Sequence, residues 1–302
     1  MNDRWYVVYN PASGKKRSKN RLQSLKELFE TYGIPADIRI TNYPRHEEEL
    51  VQNAIRKGFR NLVCAGGDGT LHHMINGIMK QSMVPSSEIC VAMIPSGTGN
   101  DWIKTYNIPT DAASSVEIIN KGHRLAQDIG CIQLMDTEQT RYFVNVAGFG
   151  YDGFVVKNLS LFKRLGALAY LLTGLFGFFS YKPEYVSMQS ESYSYTGRIF
   201  MVVLGIGKYS GGGMQLTDHN NHKEKLFDTT VVPDIGIGTV LLNLRKLYNG
   251  KVCRIKNVSC LQIKKMDILQ NTGAWIQADG ELLGQGSAAF HIVPKAVNFL
   301  VP

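Results

Sequence analysis

The stretch that most constrains this chain is Ala65-Gly66-Gly67-Asp68-Gly69-Thr70-Leu71. An apolar, strand-like run, Asn61–Ala65, leads into it, and a helical pattern, Leu71–Met79, leaves it. Glycines let a backbone turn tightly and approach a ligand closely. A turn that opens a helix points unpaired N–H groups and the positive end of the helix dipole at its ligand. Phosphate suits such a place. Asp68 adds a carboxylate that can hold Mg²⁺ or orient a hydroxyl, and Thr70 adds a hydroxyl that can cap the helix and touch phosphate. An ordinary strand–turn–helix connection accounts for a lone glycine pair. It accounts poorly for this whole set at a strand end.

Two further loops repeat the logic. Pro95-Ser96-Gly97-Thr98-Gly99-Asn100-Asp101 follows the apolar run Ile89–Ile94, with Thr98 as the expected phosphate contact and Asn100 and Asp101 as candidate helix caps. Asn10-Pro11-Ala12-Ser13-Gly14 follows Trp5–Tyr9 and runs into the basic residues Lys15, Lys16, Arg17, Lys19 and Arg21. It lacks the GxxxxGK[ST] pattern of a Walker A loop. Strands at Trp5–Tyr9, Ile38–Thr41, Asn61–Ala65 and Ile89–Ile94 alternate with helices at Arg21–Tyr32, Glu47–Lys57 and Leu71–Met79. That alternation predicts a parallel sheet with helices on both faces, whose ligands sit beyond the carboxyl ends of the strands.

Past residue 126 the texture changes. Tyr142–Ala147, Ile199–Gly205, Thr229–Val232, Cys253–Ile255 and Ser259–Lys264 read as strands, and only Leu161–Phe179 and Gly238–Tyr248 read as helices. A mostly antiparallel second domain follows from this. With 302 residues, two domains are expected: an α/β domain over 1–125, and a β-rich domain over 126–287. The last segment, 288–302, is expected to pack back on the first.

NPASG, GGDGT and PSGTGND, in this order and spacing, resemble the diacylglycerol kinase catalytic family. That family includes sphingosine and ceramide kinases and the bacterial soluble lipid kinases, the branch most similar in length and order. The resemblance spans nearly the whole chain, through Gly148-Phe149-Gly150, Gly211-Gly212-Gly213 and Ala278-Asp279-Gly280-Glu281. It implies an α/β first domain like that of NAD kinases and phosphofructokinases, and a β-sandwich second domain that holds the lipid. It implies ATP and Mg²⁺, with phosphoryl transfer to a lipid hydroxyl, diacylglycerol giving phosphatidic acid as the first choice. Nucleotide contacts carry over to Asn10, Pro11, Ala12, Ser13 and Gly14, to Thr41, to Gly66, Gly67, Asp68, Gly69, Thr70, Leu71 and His72, and to Thr98. His72 departs from the family's usual Asn. Asp68, Asp279 and Glu281 carry over as catalytic residues, with the base left open between Glu281 and Asp279. Two residues apart, that pair would share one face of a strand. Lys225 stands where the family has a glycine, so the structural metal site is reduced to Glu224 with backbone oxygens near Asn221 and Leu226.

Other readings are weaker. GGDGT is shared with NAD kinases, which leaves an NAD kinase-like phosphotransferase as one alternative. A catalytically inactive nucleotide- or lipid-binding module is the other. Gly148-Phe149-Gly150-Tyr151-Asp152-Gly153 matches GxGxxG, yet no acidic residue occurs between Asp152 and Glu184, where a dinucleotide fingerprint needs one. The five cysteines include no CxxC pair and read as free thiols in a reducing compartment. His72 and His73 read as helix surface. Leu161–Tyr181, apolar and flanked by Lys157, Lys163, Arg164 and Lys182, is the expected lipid-facing segment. Its uncharged core is shorter than the ~20 residues that span a bilayer. With no signal-peptide pattern near Met1, the reading is a cytoplasmic protein at the inner membrane face. A net charge of +8 favours anionic partners. No basic motif interleaved with aromatics points to nucleic acid, and a homodimer is left open.

Overall fold

The computed structural model describes residues 4–14, 20–159, 174, 177, 178, 180–218 and 225–302. They form two compact units, residues 1–127 with 295–302 and residues 128–294. The return to the first unit therefore begins at Lys295, not at 288.

In the first unit, β1 (Trp5–Tyr9), α1 (Asn20–Thr31), β2 (Ala36–Ile40), α2 (His46–Arg56), β3 (Asn61–Gly66), α3 (Asp68–Lys80), β4 (Cys90–Pro95), α4 (Asp101–Thr105) and α5 (Ala112–Lys121) follow in order. β1 lies between β2 and β3, with Val7 opposite Ile38 on one side and Val63 on the other. β3 pairs with β4, and the chain's last strand adds beside β4 through Asn298 and Phe299; every one of these pairings is parallel. The strands are near-continuous apolar runs because a parallel sheet is covered on both faces. Val7, Val63 and Ala92 pack with Leu25 and Phe29 of α1 and Val116 of α5. α3 buries Leu71, Met74, Ile75 and Ile78 completely, a spacing of i, i+3, i+4 and i+7.

The second unit is antiparallel. β5 (His123–Leu134) carries the chain into it; β6 (Gln139–Phe143), β7 (Val146–Gly150), α6 (Tyr151–Asn158), β8 (Glu184–Gln189), β9 (Ser194–Gly205), β10 (Phe227–Pro233), α7 (Ile237–Tyr248), β11 (Ser259–Ile263), β12 (Lys265–Asn271), β13 (Ile276–Ala278), β14 (Glu281–Gly284) and β15 (Ala288–Val301) follow. β9 organises it, pairing with β7, β8 and β10. Phe143 stacks on Phe227 at 5.6 Å and Phe149 meets Phe290 at 6.2 Å in its core.

Four details differ from the sequence reading. The expected strand Tyr142–Ala147 is broken, because the backbone N–H groups of Val144, Asn145 and Val146 donate to the Asp279 carboxylate instead of a ladder. Tyr151–Asn158 is a helix that its sequence hides, for Gly153 interrupts any apolar period. Val252–Arg254 is a 3₁₀ turn rather than a strand. That turn brings Cys253 to Cys260 with Cα atoms 5.8 Å apart, and the two form a disulfide, so they are not the free thiols expected. Cys64, Cys90 and Cys131 are free and buried, and burial raises all three thiol pKa values, Cys90 and Cys131 to about 11. Most of the segment Leu161–Tyr181 lies outside the described residues.

One position tests the packing of α2 on α3. A Cβ on Gly77 would fall 2.8 Å from Glu48 O and 2.9 Å from its Cα. Glycine to alanine inside a helix ordinarily stabilises by about 1 kcal/mol. Here the obstacle is backbone, so Gly77→Ala is expected to lower the denaturant midpoint. A higher midpoint would contradict this packing.

Candidate functional site

Three loops meet in the first unit, and glycines let them meet. Gly67 and Gly97 lie back to back: a Cβ on Gly67 would be 3.0 Å from Gly97 Cα, and one on Gly97 would be 2.8 Å from Gly67 Cα. Gly14, at φ +90°, presses on the third loop so closely that a Cβ would stand 2.3 Å from Ser96 O. Backbone bonds complete the junction, with Asn10 N donating to Ala65 O at 3.0 Å and Ser96 N to Gly66 O at 2.7 Å. The loops NPASG, GGDGT and PSGTGND therefore share one place at the carboxyl ends of β1, β3 and β4.

α3 opens in this junction. Its N-cap is Gly67, in extended conformation, and no side chain among the described residues caps it. First-turn N–H groups of a helix have no intrahelical acceptor, and such a terminus suits an anion. Thr70, expected as cap and phosphate contact, is buried at 3% exposure. Its Oγ1 accepts from Asn10 Nδ2 at 2.9 Å. Only glycine fits at 66, because a Cβ there would lie 2.4 Å from Thr70 Oγ1. Leu71 belongs wholly to the core, so only its backbone faces the loop chemistry. His72 is also buried rather than on the surface, with Nε2 3.3 Å from Asn76 Nδ2.

Asp68 does something the sequence did not suggest. It is the first residue of α3, and its carboxylate accepts N–H bonds from Asp101 at 3.1 Å and Trp102 at 3.2 Å. It thereby caps α4, the role expected of Asn100 and Asp101, and ties the second loop to the third. Thr98 is exposed on the third loop. The buried hydroxyl there is Ser96 Oγ, which has no hydrogen-bond partner among the described residues. Thr41 follows β2, is buried, and donates its N–H to Tyr9 O at 2.9 Å. Pro11 and Ala12 are exposed, and Ser13 and Gly14 half-buried.

Glu47 is the residue that sequence reasoning missed. It is 3% exposed. Asn10 Nδ2 donates to its Oε1 at 3.2 Å, and Oε2 has no partner among the described residues. Burial raises its pKa, opposed by its own backbone N–H, by His73 and His46, and by Asn10. Its neighbour Glu48 is opposite in behaviour. Burial pushes Glu48 up too, but bonds from His73, Lys80 and Arg45 outweigh it and hold the carboxyl well below its usual range. In the sequence both are members of an acidic first turn.

The second unit holds the other two acidic candidates. Asp279 and Gly280, at φ +49° and +83°, form the two-residue turn of the β13–β14 hairpin, which Ala278 and Glu281 close. Asp279 and Glu281 therefore do not share a strand face. Asp279 Oδ1 accepts from Asn145 N at 3.0 Å and Val146 N at 3.1 Å, and Oδ2 from Val144 N at 2.9 Å. Gly280 N donates to Gln277 Oε1 at 2.9 Å. Glu281, half-buried, begins β14. The GxGxxG match is explained by packing. A Cβ on Gly148 would lie 2.7 Å from Val202 O, and one on Gly153 2.2 Å from Trp275 O. Among the described residues β7 pairs only antiparallel, with β9 and β13, which is not the pairing of a βαβ unit. Asn221 and Glu224, expected at a metal, lie outside the described residues; Leu226 precedes β10. Among the described residues no group of three or more His, Cys, Asp or Glu is placed to hold a metal.

Known proteins resemble this chain in both units. Residues 4–132 match the diacylglycerol kinase catalytic domain, and residues 145–301 the YegS C-terminal NAD kinase beta sandwich-like domain. A probable lipid kinase YegS-like protein of Xanthomonas oryzae pv. oryzae is 28% identical over 92% of this chain and 89% of its own. One from Pseudomonas putida is 28% identical over 96% and 93%. A diacylglycerol kinase structure from Bacillus anthracis str. Sterne superposes with a TM-score of 0.74 at 18% identity, covering 99% of this chain and 97% of that one, a likeness of fold. The chain belongs to the diacylglycerol kinase catalytic family, in the YegS-like lipid kinase branch.

Glu47 gives a pH test. A carboxyl whose folded pKa is raised favours the folded state when protonated, and that stabilisation is lost as pH rises from the ordinary 4.5 through the raised value. Glu47→Gln is therefore expected to melt higher than the native protein at pH 8, by on the order of 2 °C. The gap closes toward pH 5. Equal melting temperatures at both pH values would show that Glu47 is not under this strain.

Proposed function

We propose that this chain transfers the γ-phosphoryl group of ATP to a lipid hydroxyl, with diacylglycerol as the acceptor. The observation that carries this reading is the glycine-on-glycine junction of three loops around the open N-terminus of α3.

The residues present fit a nucleotide. Gly67 and Gly97 let the second and third loops close on each other beside the start of α3, and Ser96 Oγ, buried without a partner among the described residues, is a hydroxyl ready to donate. Gly66, Gly67, Gly69 and the first turn of α3 would hold phosphate through N–H groups. Asn10, fixed by Thr70 and Glu47, would flank it. Bound ATP supplies the transferable phosphoryl group, and Mg²⁺ accompanying it needs only one or two protein carboxylates. Asp68 is the carboxylate at that place. In the second unit, Asp279 already accepts three backbone N–H bonds, which suits a positioning role. That leaves Glu281 as the base: its carboxylate would take the acceptor's hydroxyl proton as the oxygen bonds to the γ-phosphorus and the bond from that phosphorus to the departing ADP breaks.

A lipid acceptor is supported by an apolar cavity in the second unit. Phe200, Met201, Leu216, Val232 and Leu247 are among its walls. Two of its polar wall groups are engaged elsewhere, Asn243 Nδ2 with Thr239 O at 2.7 Å and Asp152 with Gln277. Such walls offer hydrocarbon little but contact, as an acyl chain requires.

The purified protein, labelled ATP and Mg²⁺ are to be combined with lipid alcohols in mixed micelles and, separately, with NAD. Label in diacylglycerol is expected. Label in NAD alone would replace this reading with the NAD kinase-like one, and label in no acceptor would remove it. Glu281→Gln should lower kcat by about 10²–10⁴-fold with ATP affinity unchanged. Asp68→Ala should weaken ATP binding as well as turnover, since it releases the 96–101 loop; calorimetric titration separates the two.

A further inference from the structure

We propose that α7 and the segment after it form a docking surface for an anionic lipid bilayer. The helix is apolar on two faces. Inward, Val240, Leu244 and Leu247 line the apolar cavity. Outward, Leu242 is 88% exposed and Leu241 46%, while Tyr248, 44% exposed, stands at the rim of the cavity. The inner face and two bonds from Gln215, to Leu247 O at 2.6 Å and Tyr248 O at 3.0 Å, hold the helix, so folding gives no reason for the outer leucines. A side chain such as Leu242, standing almost free of its own protein, needs an apolar partner from elsewhere.

Charge says which partner. Arg245, Lys246, Lys251, Arg254 and Lys256 lie on or just after the helix, and from Ile235 to Met266 the sequence has no Asp or Glu. All but Lys246 are exposed. Lys246 Nζ donates to Arg254 O at 3.2 Å, which ties the basic segment to the helix. Leucines and a tyrosine beside a band of cations is the pattern of a helix lying in a membrane interface: apolar side chains enter the acyl boundary while the cations meet lipid phosphates. A second copy of this chain is disfavoured, because two such bands would face each other with like charge. The choice of a bilayer over another anionic partner rests on the lipid-kinase reading, since an acceptor dissolved in a membrane must be met there.

The test needs neither ATP nor acceptor. The full chain is sedimented with vesicles of phosphatidylcholine alone and of equal parts phosphatidylcholine and phosphatidylglycerol. Binding to the anionic vesicles, weakened by salt, is expected. The double variant Leu241→Asp/Leu242→Asp should bind them roughly tenfold less or worse. Arg245→Glu/Lys251→Glu should lose the preference for phosphatidylglycerol. Both change exposed residues, so their melting curves should overlay the native one and show that the fold is intact. Native protein that stays in solution, or a leucine variant that binds as well as native, overturns the proposal. So does a native dimer on light scattering that the leucine variant abolishes, since the surface is then a contact between copies. The micelle assay separates the two claims: lipid phosphorylation there without vesicle binding ends the docking surface and leaves the kinase reading intact.

Discussion

Gly67 and Gly97 touch where no other residue could stand, each Cα within 3.0 Å of the place a Cβ on the other would occupy. Around that contact the first unit arranges its chemistry. Because the second and third loops can close on each other, Ser96 N reaches Gly66 O and the Asp68 carboxylate reaches the start of α4. Gly14 then lets the first loop close on Ser96. Three parallel strands would bring three loops to one edge in any α/β sheet. Fusing them into a single cradle is what glycine adds, and a side chain at any of these positions would hold them apart.

Two of the acidic residues that look catalytic in sequence act on backbone in the structure. Asp68 caps α4, and Asp279 gathers three consecutive N–H groups of residues 144–146. A carboxylate bonded by N–H groups is fixed in place, and it fixes the loop that donates to it. The two groups thus shape their surroundings besides any contact with ligand. Glu281, one strand position beyond the hairpin turn, is placed differently. The turn decides this: left-handed Asp279 and Gly280 redirect the chain, so two residues' separation in sequence does not mean a shared face.

The helix α7 shows the same economy at the surface. One face closes an apolar cavity, and the other presents Leu241 and Leu242 to solvent beside a run of cations. Its sequence, Ile-Gly-Thr-Val-Leu-Leu-Asn-Leu-Arg-Lys-Leu-Tyr, reads as a helix with apolar residues nearly all round. Periodicity alone assigns such a helix to a core. Burial separates the leucines that fill the cavity from those that do not.

The sequence by itself determined the order of strands and helices from β1 to β4, the change from parallel to antiparallel sheet, and the three loops that matter. Those follow from local causes: apolar runs of strand length, helical spacing, and glycines at strand ends. The family resemblance rested on the same residues. Only the tertiary structure decided what each polar side chain does. Glu47 and Glu48 are adjacent in one acidic turn, yet one is buried with an oxygen lacking a partner among the described residues while the other is bonded by Lys80, Arg45 and His73. The Cys253–Cys260 pairing, the burial of His72 and Thr70, and the break at Val144–Asn145 were hidden for the same reason. Each depends on atoms brought together from distant or irregular stretches of chain, and local spacing carries no information about which groups will meet there or how much water will remain.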